Sequence, residues 1–207
     1  MAPAIPDLTA RIARAAALLR AGGIVAYPTE TFYGLGALAS RGDALARLAA
    51  AKLRPEGKPL PLIAADRAQV EAVGSLADSL AAKLAARFWP GPLTLLLPAA
   101  PGLHPAITAG GATVGVRIPA SEVARALARE AGGALVSTSA NVSGEPPPSS
   151  AAALSAELVA RIDGVLDGGP APGGLPSTVV ALERGGVRLV RAGAVPWHEV
   201  EACARAP

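Results

Sequence analysis

Three cations stand in one short run, Lys52, Arg54 and Lys58 of KLRPEGKPL (52–60), with Pro55 and Pro59 stiffening it. Lysine brings a compact positive charge and arginine a planar fork that grips two oxygens, so the set suits a triphosphate. A solvated basic loop is the other explanation of such a run. Composition favours the first reading, because the chain has sixteen arginines but only three lysines, two of them here.

Four further segments bear the same kind of chemistry. PTETFYGLG (28–36) follows an apolar run and sets hydroxyls, a carboxylate and a phenol among glycines. That suits a small polar ligand at a strand's C-terminal end, where open α/β sheets bind ligands, and an ordinary turn is the alternative. TVGVRIP (113–119) ends an apolar strand in Arg117, whose burial demands a partner: an anion such as an amino-acid carboxylate, or an internal aspartate or glutamate. STSANVSGEPPPS (137–149) contains the chain's one asparagine, Asn141, among short hydroxyls that can donate to phosphates or a carboxylate. A plain serine-rich loop explains the hydroxyls and leaves Asn141 unexplained. Lastly, Ser177 and Thr178 lead a strand, and a hairpin returns to Arg191, Ala192 and Gly193; Ser177 and Arg191 share a cavity if the two strands pair. FWPGP (88–92) reads mainly as a helix stop with an aromatic plug, and also as a candidate border of the pocket.

Absences narrow the chemistry further. His104 and His198 are the only histidines and Cys203 the only cysteine, which disfavours a histidine-based metal site, a multi-cysteine zinc site and a Ser-His-Asp triad. No phosphate loop of the GxxxxGK[ST] kind, no GxGxxG after a strand, no GxSxG elbow and no HExxH is present. A net charge of +3 permits a phosphate-bearing ligand without demanding nucleic acid. With no leader-like segment and no apolar stretch of membrane-spanning length, the expectation is a cytoplasmic protein with no membrane partner.

The elements that must position these segments follow from periodicity and capping. Asp7 caps a helix to about Ala21, a strand covers 24–27, and 28–36 is turn-like. Asp43 caps a short helix toward Lys52; 60–64 is a strand and 66–73 a helix. A longer helix, 75–88, must stop before Pro90. Strands follow at 93–97 and 113–118, then a helix from Ser121 to Gly132, and a strand at 135–138. Ser149 or Ser150 starts a helix to about Ile162, and strands at 165–167, 177–182 and 187–191 complete the chain, the last two joined by a hairpin at 183–186. The 207 residues therefore predict one compact α/β domain, core about 8–195, with an open mixed sheet and flanking helices. Gly168 to Gly174, GGPAPGG, reads as a long active-site loop.

Taken in order, PTETFYGLG, KLRPEGKPL, FWPGPLT, VGVRIP, STSANVSG and PSTVV with a following Arg-x-Gly resemble the YrdC family of threonylcarbamoyl-AMP synthases, from about Gly22 to Gly193. The resemblance implies a twisted open sheet around a large basic concave cavity, and formation of L-threonylcarbamoyladenylate and pyrophosphate from L-threonine, bicarbonate or CO2, and ATP. The product serves threonylcarbamoyl modification of adenosine 37 in tRNAs, with tRNA or its transfer machinery as a partner and Mg2+ accompanying ATP. By motif position, Thr31, Arg117, Ser139 and Ser177 correspond to threonine contacts. Arg54, Lys58, Thr113, Asn141, Ser149 and Arg191 correspond to ATP contacts, and Lys52, Arg54 and Lys58 are the catalytic candidates, with Lys52 assisting at the phosphates. No metal ligand is expected from the protein. Two departures stand out: Ile63 where longer members often have histidine, and Pro-Pro-Ser-Ser where Ser-Pro-Thr usually follows the SAN motif. The chain resembles the short form of the family. Rival readings are a non-catalytic RNA-binding module, which few stacking aromatics support, and a related carbamoyl-adenylate former, whose acceptor machinery sits in additional domains.

Overall fold

The computed structural model describes residues 7–53 and 57–206. Helix α1 (Leu8–Arg20) starts at Asp7, whose side chain accepts from the Thr9 amide, and buries Ile12, Ala15, Ala16 and Leu19 as one stripe. Then come β1 (Val25–Pro28), β2 (Tyr33–Gly36), α2 (Gly42–Ala51), β3 (Leu62–Ile63), α3 (Arg67–Glu71) and α4 (Ser79–Phe88). Asp66 and Asp78 cap the last two. β4 (Leu93–Pro98), α5 (Pro105–Thr108) and β5 (Thr113–Arg117) lead to α6 (Glu122–Ala131), which Ser121 caps and Gly132 closes in the left-handed conformation. The chain finishes with β6 (Leu135–Val136), β7 (Thr138–Ser139), α7 (Ala156–Val159), β8 (Gly164–Val165), β9 (Thr178–Glu183), β10 (Gly186–Arg191) and α8 (Trp197–Arg205).

The strands form two mixed sheets where one was expected: a four-stranded sheet ordered β7-β2-β1-β8 and a six-stranded sheet ordered β10-β9-β4-β5-β3-β6. The expected strand at 135–138 is where they separate. β6 pairs antiparallel with β3 in the larger sheet, and two residues later β7 pairs antiparallel with β2 in the smaller one. Between them Ser137 is buried, its amide donating to the Pro61 carbonyl at 2.8 Å. Gly36 permits the junction, because a Cβ there would lie 2.7 Å from the Val136 carbonyl and 2.6 Å from the Tyr27 ring.

One core cluster joins Ile24, Leu35 and Leu48 to Leu95, Val116 and Val180, and a second packs α1 and α6 over Val25 and Tyr27 of β1. The core extends past the expected limit at 195, since α8 packs on α4 and buries Val200 completely. Other boundaries moved for local reasons. Part of the expected turn at 28–36 is the strand β2. Asp43 is inside the first turn of α2 and pairs with Arg41 at 3.3 Å, so it complements the helix N-terminus without capping it. The expected helix at 149–162 is broken because Ser150 and Ser155 each cap a separate turn, accepting from the Ala153 and Leu158 amides.

Candidate functional site

Side chains alternate across a strand, and paired residues share a face. In the six-stranded sheet Leu93, Leu95 and Leu97 turn into the core with Val114, Val116 and Val180, all buried. The other face receives Thr94 and Leu96 from β4, and Thr113, Gly115 and Arg117 from β5. Arg191 is paired with Val179 and Val179 with Thr94, while Leu95 opposite Val116 brings Thr94 beside Arg117. Arg191, Val179, Thr94 and Arg117 thus form one row across three junctions of the sheet. Ile63, paired with Arg117 and fully buried, extends the row with hydrocarbon.

The row is polar and connected. Thr94 and Ser177 are both buried with their hydroxyls 2.9 Å apart. Arg191 Nη2 donates to the Ser177 carbonyl at 2.7 Å and to its hydroxyl at 3.1 Å. No carboxylate among the described residues pairs with Arg191, and partial burial, followed by the field of the Arg117 charge, lowers its pKa. Two guanidiniums on one row, with a single carboxylate, Glu30, to share, leave an excess of positive charge that suits an anion. Gly193 tightens this corner: a Cβ there would fall 2.3 Å from the Pro176 carbonyl oxygen.

Arg117 is 6% exposed at its side chain, and its Nε donates to Glu30 Oε1 at 3.0 Å. Of the two partners foreseen for Arg117, the internal carboxylate is therefore present. Since Nε alone engages Glu30, the terminal nitrogens remain for a second anion. Glu30 is the carboxylate of PTETF, which the sequence reading left without a site role; it stands 87 residues from Arg117, and only the fold joins them. Beside it Thr31 is buried, its hydroxyl 3.1 Å from that of Thr29.

The Gly168–Gly174 loop is strapped across this edge. The Gly173 amide donates to the Thr31 carbonyl at 2.7 Å and the Ala171 amide to that of Ser149 at 2.8 Å. The Tyr33 hydroxyl donates to the Gly169 carbonyl at 2.7 Å and lies 3.2 Å from Asp167. Burial, reinforced by the Asp167 charge, pushes this phenol up to about 12, so it stays protonated as a donor.

Lys52 differs from expectation. It is 2% exposed, and its ammonium donates to the carbonyls of Ser139 and Asn141, the latter at 2.6 Å. Its backbone carbonyl accepts from Ser143. It therefore shapes the Ser139–Ser143 loop from beneath. Lys52→Met is expected to cost about 2–3 kcal/mol of stability, since two carbonyls lose a charged donor; urea unfolding measures it. Asn141 donates both amide hydrogens, to Val142 and Glu145 carbonyls at 2.9 and 2.7 Å, and its buried Oδ1 has no partner. What it offers a ligand is an acceptor, where a donor to phosphate had been foreseen.

Thr113 shares the open face with Arg117 but lies four residues away, roughly 13 Å along the strand, and is exposed. Ser149 and Lys58 are also exposed, Ser149 opposite the glycine loop. Arg54 lies outside the described residues. FWPGP borders the Arg117 end, with the Gly91 amide donating to the Ile118 carbonyl at 2.8 Å. Thr94, unnoticed in the sequence reading, had a signal: it is the single hydroxyl within the apolar run LTLLL. Two clefts of about 410 and 550 Å3, along Ser75–Ala77 and around His104, share no residue with this set. Neither is the expected basic cavity.

Residues 17–193 match the Sua5/YciO/YrdC family model, described as "Telomere recombination". The chain belongs to this family. It is 44% identical over 172 residues to a protein of Xanthomonas campestris pv. campestris named threonylcarbamoyl-AMP synthase, covering 80% of this chain and 88% of that one. A Bacillus subtilis protein of the same name is 45% identical over 193 residues, 93% of this chain but 56% of its own length. The crystal structure of Pyrococcus abyssi Sua5 complexed with L-threonine superposes with a TM-score of 0.89 at 40% identity, covering 94% of this chain and 57% of that one. The chain thus spans a little over half of these two longer members of the Sua5/YciO/YrdC family. Among the described residues no helix is long and apolar enough to cross a membrane.

Proposed function

We propose that the chain is a threonylcarbamoyl-AMP synthase, forming L-threonylcarbamoyladenylate and pyrophosphate from L-threonine, bicarbonate or CO2, and ATP. The observation that carries this reading is the pair of arginines, Arg117 and Arg191, on one row of the six-stranded sheet with Thr94, joined to Ser177 on one side and to Glu30, next to Thr31, on the other. The threonine carboxylate docks on the free nitrogens of Arg117, with Ser177, Thr31 and Ser139 around it. ATP lies along the face toward Thr113, its phosphates met by Arg191, Arg54 and Lys58, with Asn141 and Ser149 bounding the nucleotide. On this reading the face, with the glycine loop tied to Thr31 and Ser149 beside it, corresponds to the basic cavity implied by the family resemblance.

The amine of threonine captures CO2 to give a carbamate, and a carbamate oxygen attacks the α-phosphorus as pyrophosphate leaves. Such chemistry needs alignment and stabilisation of spread negative charge, which arginines, a lysine and hydroxyls supply without a histidine. Mg2+ fits as a companion of ATP held mostly by phosphate oxygens. No three His, Cys, Asp or Glu side chains cluster among the described residues, and Asn141 Oδ1, one of two unpartnered oxygens there with Glu30 Oε2, is the uncharged oxygen that could serve such an ion. Bound there, the ion would neutralise phosphate charge. The product would serve tRNA adenosine 37 modification in the cytoplasm, handed to a transfer machinery.

The test is pyrophosphate release from ATP, with threonine and bicarbonate each omitted in turn. Release is expected only with all three, and Lys58→Ala is expected to lower it by at least tenfold with the thermal transition unchanged. Release independent of threonine, or none in the complete mixture, would refute the reading. Salt-sensitive RNA binding without any turnover would point to the binding-module alternative.

A further inference from the structure

We propose that Glu30 is the receptor for the amino group of the amino-acid substrate, a role that rests on the function proposed above. The carboxylate of Glu30 is divided. Oε1 accepts from Arg117 Nε at 3.0 Å, while Oε2 is closed to solvent and has no donor. The side chain is only 11% exposed. A buried acceptor left without a donor is costly, and a charged one more so, so this oxygen calls for a hydrogen-bonding occupant. On the other side of the same pair, Arg117 presents terminal nitrogens that engage no residue among those described. Arg191 adds positive field without a carboxylate of its own.

The pair therefore shows two opposite charges a short distance apart, each with one unused edge. An α-amino acid is the complementary object, with a carboxylate for the arginine edge and an ammonium for Oε2. Thr31 and Thr29 next to Glu30 carry hydroxyls but no charge, so they do not substitute for it. The arrangement implies selection for amino acids over carboxylates that lack the amine. It also sets the nitrogen lone pair, once the ammonium loses a proton, at a fixed place next to the carboxylate anchor.

The test compares binding of L-threonine with that of 2,3-dihydroxybutanoate of the same configuration, which replaces the ammonium by a hydroxyl, by calorimetry on the full chain. Wild type is expected to prefer threonine. In Glu30→Gln threonine binding weakens about ten- to a hundredfold, the range of a charge-assisted hydrogen bond, while the dihydroxy acid weakens much less. The preference then largely disappears. If Glu30 only holds Arg117 in place, both ligands depend on the same carboxylate anchor and weaken equally; equal losses overturn the proposal. Should Glu30→Gln fail to fold, Glu30→Asp keeps the charge and withdraws the oxygen; the preference falls at least threefold, and an unchanged preference overturns the proposal. A wild type that binds threonine poorly or not at all overturns the parent function and this role with it, whereas equal losses in a threonine-binding protein leave the parent function standing.

Discussion

Arg117→Ala is expected to lower the unfolding free energy by about 3–5 kcal/mol, the cost of stranding one member of a buried ion pair. The two side chains are 6% and 11% exposed and 3.0 Å apart, so Glu30 would remain with neither solvent nor counter-charge. Removing both charges should behave differently. In Arg117→Met with Glu30→Leu the desolvation cost disappears with the attraction, and stability should return to within about 1 kcal/mol of wild type or exceed it. Threonine binding should not return, because the anchor for its carboxylate is gone. Urea unfolding and calorimetric binding on the two variants separate these effects. A near-neutral Arg117→Ala would mean that water reaches the pair in solution and that the ion pair is not buried as its 6% and 11% exposures indicate.

Gly193→Ala is expected to reduce pyrophosphate release by about a hundredfold, with a stability loss of about 1–3 kcal/mol. Its new Cβ would lie 2.3 Å from the Pro176 oxygen and 2.5 Å from both the Ser177 carbonyl carbon and the Thr178 nitrogen. All three are backbone atoms, and no rotamer change relieves the overlap. The segment is held there by the Ala194 amide donating to Pro176 at 2.8 Å, and by the Thr178 hydroxyl, which accepts from the Val195 amide and donates to the Val195 carbonyl. Relief must come from moving the 176–178 segment, and that displaces Ser177 from both Arg191 and Thr94. Affinity for threonine and ATP should fall together, since the corner serves both anions. Unchanged kinetics in Gly193→Ala would show that this close approach is not needed to place Ser177.

Local physics made much of the fold legible in the sequence. Helices α1, α3 and α6 begin at the expected Asp7, Asp66 and Ser121, because a side-chain oxygen satisfies the first free amides wherever the chain lies. The β9–β10 hairpin, and with it the meeting of Ser177 and Arg191, followed from two strands and a short connection. Where one short side chain competed with another, local reading failed: Ser150 and Ser155 both cap, and the single helix expected there became two turns.

The sequence by itself determined which residue types exist to do chemistry. It gathered two of the three lysines, the one asparagine and several hydroxyls into a few segments, and its two histidines and one cysteine disfavour a Ser-His-Asp triad or a multi-cysteine metal site. Tertiary structure alone decided what each of those groups still has to offer. Lys52 and Asn141 look like phosphate donors on paper, yet backbone carbonyls that come near only in the folded loop take both amide hydrogens of Asn141 and two hydrogens of the Lys52 ammonium. Arg117 and Glu30 are far apart in the chain and become a buried pair only because β5 ends beside the β1–β2 turn. Charge and hydrogen-bonding capacity belong to a residue, but how much of them remains for a ligand depends on neighbours that no local spacing specifies.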